Sequence, residues 1–524
     1  QGSASLAIVI TCRWLMIGRE SLLHFIILLA CSLAQPSEER GGCFSLLSGM
    51  VDDINADIQK ITGFNNLKVL PRIKNILQKD FFHYFEVNLE RGCPFFDDDK
   101  RCPSSDCRVK DCPAEEIPLG LREDSLESSP HHKYSKEANM YPEEGIDCGL
   151  GKLDSSLSEE RKTIIANWTR HDDEDELTFC EPDDDSSGKM IYVDLLKNPE
   201  RYTGYKGPAS NRIWYMVYNE NCFNEDSITY GTSYLGPSQS SCLEKRAFYR
   251  MVSGLHSSIS VHLSYRYPLS LFSRHQPISR DYDSNNPGWG PNLEEFRRRF
   301  DPSIVPDGLT RLRNLYFTYL VELRALAKAA PYLMKQTYFT GDEKMDKETR
   351  SVVTDFLQII QIRESNVHYS CFFSNNRHIP IAVLNHQSTL YFHNTRNEGS
   401  IFNEHLLFAG DINEANVLKK QFREHFRNIS RIMDCIGCEK CRLWGKLQTQ
   451  GMGTALKILF SDTVRKENPL DQSSTAEPNF QLRRTEIISL FNAFGRLSTS
   501  IGALDDFCEM IHESQKQKRH TASG

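Results

Sequence analysis

The stretch that decides the fold is residues 435–460, "CIGCEKCRLWGKLQTQGMGTALKILF". Three cysteines at two-residue spacing lead into "GTALKILF" (453–460), which is apolar on every side. Such a segment is typical of a helix at the centre of a core. We expect Cys438 to lie near the N-terminus of this helix. The helix dipole, with Lys440 and Arg442 nearby, would lower the pKa of its thiol.

The cysteine spacing leaves three kinds of chemistry open. Cys-x2-Cys is typical of a redox dithiol and of half a zinc site, and close cysteines also occur in disulfide frameworks. Zinc needs a fourth ligand at a defined spacing, but a second cluster, Cys102, Cys107 and Cys112, has four-residue gaps without His. A bacterial-type iron–sulfur site requires Cys where Gly445 stands. The spacing therefore favours redox chemistry without a metal, with a structural disulfide or zinc as alternatives.

The length, composition and net charge of the chain are typical of a globular protein rather than of a nucleic-acid binder. The chain has 524 residues, of which 39% are hydrophobic and 25% charged. This composition allows a packed core. The formal net charge of −8 and the pI near 6.1 lack the basic excess of a dedicated nucleic-acid binder.

The N-terminal part of the sequence indicates a secretory protein. Residues 21–34, "SLLHFIILLACSLA", are apolar and end in a small-x-small pattern, which predicts a signal peptide, with a buried core helix as the alternative. Glycosylation triplets begin at Asn167 and Asn428. The 16 cysteines also fit an oxidising compartment.

Composition divides the chain into five regions. We predict a signal-like segment at 1–34, a cysteine-rich irregular region at 35–120, an acidic loop at 121–190, a helical core at 191–510 with a loop insertion at 365–402, and a polar tail at 511–524.

Apolar residues recur at three- and four-residue steps in the core. The pattern is clear in residues 311–331, 415–433 and 485–497, and Pro331 is expected to end the first helix. The period therefore predicts a mainly α fold with disulfide-stapled loops.

One predicted helix, residues 245–263, carries a polar row beside its apolar face. The apolar face contains Phe248, Val252, Leu255 and Ile259, and the row contains Arg250, Ser253, His256 and Ser260. A polar row on a helix that looks buried indicates a ligand, although a solvated face gives the same pattern. The loop 198–207, Trp214, the run 296–300 and Arg311 add aromatic rings and guanidiniums suited to a diphosphate, or ordinary surface charges.

Together these motifs resemble the endoplasmic reticulum oxidoreductin family, flavoprotein thiol oxidases that reoxidise protein disulfide isomerase. The similarity covers roughly residues 43–510. It rests on long stretches, namely "LLKNPERYTGYKGP", "CLEKRAFYRMVSGLHSSISVHL", "RLRNLYFTYLVELRALAK", "HFRNISRIMDCIGCEKCRLWGKLQTQGMGTALKILFS" and "EIISLFNAFGRLSTS".

The resemblance implies a single helical-bundle domain that encloses FAD. Cys438 and Cys441 would be the dithiol beside the flavin, and Cys102 and Cys107 the shuttle pair that accepts electrons from protein disulfide isomerase and related thioredoxin-fold proteins. Electrons would then pass to O2, giving H2O2. The implied FAD contacts are Arg201, Thr203, Trp214, Ser253, His256, Arg299 and Arg311.

The resemblance also implies further disulfides and a location. Regulatory pairs would be Cys102–Cys148 and Cys107–Cys180, with Cys107–Cys112 as another state, and the acidic loop would be their tether. Structural pairs would be Cys93–Cys435 and Cys222–Cys242. The expected location is the endoplasmic reticulum lumen, with peripheral association on the luminal membrane face as a further expectation.

The chain departs from the family at its N-terminal segment. Two Cys-x-Cys pairs of the family correspond here to Cys43, Ser45, Ile54 and Ala56. This leaves an alternative, a catalytically impaired flavin-binding member that acts by binding protein disulfide isomerase. A disulfide-stapled scaffold without a cofactor is a third hypothesis.

Overall fold

The part of the chain that the structure describes is mostly helical, which confirms the predicted fold class. The structure is a computed structural model, and it describes residues 54–96, 102, 104–122, 178–181, 183, 190–221, 239–269, 288–370, 404, 407–408, 412–461, 463–464, 477–478 and 480–522. All of these belong to one unit, Asp52–Gly524.

The helices follow the chain in this order: α1 (Ile54–Phe64), a π-helical segment (Asn65–Val69), α2 (Leu70–Ile76), α3 (Asp80–His83), α4 (Pro208–Asn219), α5 (Gln239–Tyr265), α6 (Leu293–Phe300), α7 (Gly308–Leu333), α8 (Glu343–Ser370), α9 (Ile412–Ile432), α10 (Glu439–Phe460) and α11 (Arg484–Ala522). Short 3-10 turns lie at Ser105–Cys107, Ala114–Glu116, Leu119–Leu121 and Met433–Cys435.

Three small antiparallel sheets accompany the helices in the described part of the chain. They pair β1 (Tyr84–Asn88) with β2 (Met190–Asp194), β3 (Tyr267–Pro268) with β4 (Trp289–Gly290), and β5 (Thr463–Val464) with β6 (Glu477–Pro478). In the first sheet Tyr84 lies opposite Asp194 and Asn88 opposite Met190. This sheet brings the chain before the cysteine cluster next to the chain after the acidic loop.

Helices α5, α7, α10 and α11 form the centre of the bundle, where α10 packs on α11 and α5 on α7. The apolar segment 453–460 is buried in α10, as predicted, and Leu456 is fully buried. Apolar residues that recur at three- and four-residue steps along α9, such as Phe422 and Phe426, are also fully buried. The hydrophobic effect thus places the cysteine-bearing helix against the core.

Helix α10 begins directly after Cys438, which confirms the predicted position of this cysteine. Cys438 is the N-cap residue with an extended backbone, and its sulfur accepts a hydrogen bond from the Cys441 amide at 3.3 Å. The cap satisfies one of the amides that the first turn of a helix leaves unpaired.

Three element boundaries differ from the sequence prediction. Helix α7 continues through Pro331 to Leu333, so this proline, which has no amide to bond to the carbonyl four residues earlier, lies inside the last turn instead of ending the helix before it. Helix α8 reaches Ser370, so residues 365–370 of the predicted insertion are helical. Helix α11 extends the pattern seen at 485–497 far beyond residue 497.

Among the described residues, one helix segment, Arg484–Gln517, is long and apolar enough to cross a membrane. Its most apolar window is 89% buried inside the protein, as a core helix would be. Several sequence predictions lie outside the described residues: the signal-like segment, residues 371–402, Asn167, Cys148 and Cys222. The backbone of Cys242 belongs to α5, but its side chain is not described.

Candidate functional site

The centre of the site is a disulfide at the start of α10. Cys438 is bonded to Cys441, and Cys438 is fully buried. The Thr203 hydroxyl lies 3.3 Å from the Cys441 sulfur and 3.5 Å from the Cys438 sulfur. The structure therefore places the predicted cofactor contact Thr203 directly on the predicted dithiol.

A second disulfide lies beside the first. Cys102 is bonded to Cys107, and the Cys102 amide donates to the carbonyl of Gly437, the residue before Cys438, at 2.9 Å. Cys107 is 2% exposed whereas Cys102 is half-buried, so in this form the predicted shuttle pair is accessible at its Cys102 end.

Aromatic rings from α4 and α5 form a stacked group. The rings of Trp214 and His256 lie 3.6 Å apart with planes at 9°, and the Tyr218 hydroxyl is 3.0 Å from His256 Nδ1. Burial, with the charges of Arg311 and Arg299, lowers the pKa of His256 to about 3. The imidazole is therefore neutral at physiological pH.

Ser253 connects this group to α7. Its hydroxyl accepts a hydrogen bond from Asn314 Nδ2 at 3.1 Å, and Ser253 lies three residues before His256 on α5. Arg250, from the same polar row, donates to Asn314 Oδ1 at 3.2 Å and lies 3.9 Å over the Phe317 ring. Arg250 thus serves helix packing, whereas Ser253 and His256 belong to the aromatic group.

The predicted guanidiniums are held by carboxylates. Arg299 pairs with Glu295 at 2.7 Å, and Arg311 pairs with Asp307 at 2.9 Å. Both pairs have the i,i+4 spacing at which side chains meet on a helix face. These arginines were predicted to suit a diphosphate, but the prediction lacked the acidic partner that helical spacing gives each of them.

Arg201 links the turn that carries Cys107 to the loop that carries Thr203. Its Nη2 lies 3.2 Å from Asp106 Oδ1 in the turn that carries Cys107, and its guanidinium lies 5.2 Å over the Trp289 ring. Arg201 is buried, and Thr203 follows two residues later. Sequence analysis did not find Asp106 as a partner, because the two residues are far apart in the chain.

The remaining cysteines differ in part from the expected pairing. Cys93 is bonded to Cys435, the expected structural pair, while Cys112 and Cys180 are free. Because Cys107 is bonded to Cys102, the pairs Cys102–Cys148, Cys107–Cys180 and Cys107–Cys112 are not formed here. Cys508 is also disulfide-bonded, which sequence analysis missed.

The free thiol of Cys180 is packed against the helix of the dithiol. It donates to the Thr449 carbonyl at 3.1 Å, and burial raises its pKa. It lies over Gly453, where any added Cβ would overlap the Cys180 sulfur. A neutral thiol exchanges poorly with disulfides, so Cys180 is inert in this position.

A cavity of about 150 Å³ lies next to Cys180. A charged network lines it: Lys446 contacts Asp183 at 2.5 Å and Asp434 at 2.8 Å, and Arg91 lies 3.5 Å from Asp434. Asp434 directly precedes Cys435. No side chain of the dithiol lines this cavity. The cavity could not be predicted from the sequence, because its lining residues lie in separate segments of the chain.

The predicted glycosylation residue Asn428 lies on α9 and is half-buried. Its amide nitrogen, the atom to which a glycan attaches, donates to Glu220 Oε2 at 3.1 Å.

The donor set fits a flat aromatic cofactor that carries a diphosphate. Trp214 and His256 offer flat, uncharged rings, and Arg299 and Arg311, 21% and 38% exposed, offer cations at an accessible edge. Within the described residues, no group of three or more His, Cys, Asp or Glu is placed to hold a metal ion.

Comparisons with known proteins lead to one family. The family model described as Endoplasmic Reticulum Oxidoreductin 1 (ERO1) matches residues 68–394 and 374–504. The chain is 43% identical to ERO1-like protein alpha of Sus scrofa, covering 91% of this chain and 94% of that protein. It is 41% identical to the Ero1-like protein of Drosophila melanogaster, covering 90% and 91%.

The chain belongs to the endoplasmic reticulum oxidoreductin family. It is therefore a thiol oxidoreductase, and it has the family's activity of oxidising protein disulfide isomerase. The family recognised from the sequence is confirmed. The chain is also similar to the solved structure of Ero1p, described as a source of disulfide bonds for oxidative protein folding in the cell. That match has a TM-score of 0.49 and 24% identity, and covers 88% of this chain and 99% of Ero1p.

Proposed function

We propose that this endoplasmic reticulum oxidoreductin is an FAD-dependent thiol oxidase that takes electrons from protein disulfide isomerase and passes them to O2, giving H2O2. The observation that carries the proposal is the meeting of two disulfides. The Cys102 amide bonds to Gly437, which directly precedes Cys438, so the shuttle pair lies next to the buried dithiol.

Electrons would enter through two disulfide exchanges. A thiolate of reduced isomerase attacks the Cys102–Cys107 bond, and the resulting mixed disulfide is resolved by the isomerase's second thiolate. A thiolate of the reduced shuttle pair then attacks the Cys438–Cys441 bond, and the other shuttle thiolate resolves that intermediate. Two electrons and two protons move in each exchange, which leaves the isomerase oxidised and Cys438 and Cys441 as thiols.

The residues that would hold FAD come from helices α4, α5, α6 and α7 and from the loop that contacts the dithiol. Trp214 and His256 would pack against flat rings, and Arg299 and Arg311 would pair with the diphosphate. The Thr203 hydroxyl lies within hydrogen-bond distance of both sulfurs of the dithiol. FAD, when bound, supplies the two-electron acceptor that passes electrons from the dithiol to O2.

The neutral state of His256 supports this assignment. An imidazole with a strongly lowered pKa adds no cation beside an aromatic ring, and it hydrogen-bonds to Tyr218 as a neutral group. Arg201 is placed to bind an acidic group, since its guanidinium already pairs with the Asp106 carboxylate.

We also propose action in the lumen of the endoplasmic reticulum, after removal of a signal peptide and with glycosylation at Asn167 and Asn428. The family and the chain's disulfides support an oxidising lumen. Peripheral association with the luminal membrane face, and action on related thioredoxin-fold oxidoreductases, belong to the same proposal.

Replacing the buried cysteine of the dithiol tests the mechanism. We expect C438A to abolish oxygen uptake with reduced isomerase, because no disulfide remains to accept the shuttle's electrons. Oxygen uptake is followed with an electrode, and flavin content by absorbance. C112S, which removes a free and partly exposed thiol, should keep oxygen uptake at or above the wild-type rate.

Wild-type protein separates the alternatives. Flavin absorbance with isomerase binding but no oxygen uptake would identify an impaired member that acts by binding isomerase. Protein without flavin absorbance would identify a scaffold without a cofactor. Oxygen uptake that survives C438A would contradict the proposed electron path.

A further inference from the structure

We infer that Asp106 and Glu439 are positioning residues that hold the oxidised shuttle pair against the dithiol. The inference deepens the proposed function and rests on it, because it assumes that Cys102 and Cys107 deliver electrons to Cys438–Cys441. We call the two contacts, Asp106 with Arg201 and Val109 with Glu439, the shuttle latch.

The first contact fixes the turn that contains Cys107. Asp106 lies in the 3-10 turn Ser105–Cys107, and its amide donates to the Ser104 hydroxyl at 3.2 Å. Its carboxylate meets the Arg201 guanidinium at 3.2 Å. The Arg201 side chain is 7% exposed and that of Asp106 is 38% exposed, so the pair lies at the edge of the core.

Arg201 connects that turn to the dithiol through its own loop. Thr203, two residues on, contacts both sulfurs of the Cys438–Cys441 pair. The ion pair therefore fastens the shuttle turn to the segment that touches the dithiol. A charge-assisted hydrogen bond from a guanidinium is shorter and stronger than a neutral one, and its geometry is fixed.

The second contact lies on the other side of the shuttle pair. Glu439 is the first residue of α10 and follows Cys438, and its Oε2 accepts from the Val109 amide at 3.2 Å. The Cys102 amide bonds to Gly437 on the other side of Cys438. Backbone groups on both sides of the Cys102–Cys107 bridge are thus fixed to residues on both sides of Cys438.

This arrangement controls the second exchange, from the shuttle pair to the dithiol. That step is intramolecular, so its rate depends on how often the reacting sulfurs are held in register. The latch takes no part in bond making and donates no electrons. Its loss would lower the fraction of time in which the shuttle sulfurs lie beside Cys438, the position that the second exchange requires.

Neutral variants of nearly the same shape test the latch in the full-length flavin-loaded enzyme. We expect D106N and E439Q each to lower kcat with reduced isomerase by about three- to tenfold, the size typical of weakening one hydrogen bond at a partly exposed site. KM for isomerase should stay within about twofold, because removing either charge leaves the shuttle sulfurs themselves intact. The double variant should be slower than either single one.

A charge-conserving variant and a charge control separate positioning from general structure. D106E keeps the carboxylate and should recover most of the lost kcat. D111N removes an exposed carboxylate from the same loop and should behave as wild type. Anaerobic stopped-flow mixing with excess reduced isomerase should show slower flavin reduction in D106N, whereas thermal midpoints should match wild type.

The outcomes distinguish this inference from the proposed function. Wild-type kcat in both D106N and E439Q, with C102S inactive, would overturn the latch and leave the shuttle mechanism standing. A rise in KM with unchanged kcat would overturn it too, since it would make these residues contacts to isomerase. Unchanged oxygen uptake in C102S would instead overturn the proposed function.

Discussion

At the scale of the single residue, His256 shows how position sets chemistry. It stacks on Trp214, and burial with the neighbouring arginines lowers its pKa from 6.5 to about 3. The unfolded chain takes up this proton near pH 6.5, while the folded protein does so only near pH 3. Between these values the unfolded state binds more protons, so the stabilising contribution is full above pH 6.5 and is lost as the pH falls.

Replacing His256 should therefore flatten the acid dependence of stability. We expect the urea midpoint of wild type to fall between pH 7 and pH 5, by up to about 1 kcal/mol of unfolding free energy per pH unit from this residue. H256N should lose much of that slope. H520N, at the exposed end of α11, is the matched control and should keep it. Equal slopes in wild type and H256N would show that His256 is not buried as described.

At the scale of the element, the close packing of α5 and α7 positions the aromatic group. Gly254 faces α7, and a Cβ there would overlap the Thr318 hydroxyl and the Asn314 carbonyl. The close approach lets Asn314 bond to Ser253, which lies on α5 three residues before His256. A methyl group at Gly254 would separate the helices and move Ser253 away from the group.

We expect G254A to lower the free energy of unfolding by about 1–3 kcal/mol, the cost of overpacking a dense core. It should also weaken flavin retention, measured as flavin released during gel filtration. G63A is the control: Gly63 lies on α1 with nothing within 4 Å of an added Cβ, so alanine should be neutral or slightly stabilising. If G254A proved as stable as G63A, the helices would not be in contact there.

The helices were the part of the fold that the sequence could predict. Apolar periods found α7, α9 and the first half of α11, because residues such as Phe422 and Phe426 repeat on the face that is buried. The pairing of β1 with β2 could not be read from these periods, since its strands lie on opposite sides of the cysteine cluster and the acidic loop. The same reason hid the contacts of Asp106 with Arg201 and of Asp434 with Lys446.

Some of the site residues could be predicted from the sequence, and others could not. Ser253 and His256 were visible as a polar row on one helix, and Cys438 as a cap before an apolar segment. The partners of Arg299 and Arg311 could have been found from their four-residue spacing to Glu295 and Asp307. The free state of Cys180 could not have been predicted from the sequence, because pairing among many cysteines is decided by which sulfurs the fold brings together.

At the scale of the whole molecule, the Cys93–Cys435 bridge ties distant parts of the chain together. It joins residues separated by 342 positions, whereas Cys102–Cys107 joins residues separated by five. In the chain-entropy model, the longer loop restricts the unfolded state more, by about 6 kcal/mol against about 2 kcal/mol. The first bridge should therefore stabilise the fold, while the second should matter mainly for turnover.

Two paired replacements test this division. C93S/C435S should lower the free energy of unfolding by about 3–5 kcal/mol, measured in guanidinium without reductant. It should keep oxygen uptake below its melting temperature, because Arg442 still donates to the carbonyls of Ile436 at 2.9 Å and Leu89 at 2.6 Å and holds the same loops together. C102S/C107S should do the reverse, keeping most of the stability and losing uptake with isomerase. Equal stability losses in the two variants would show that loop length does not decide what these bridges contribute.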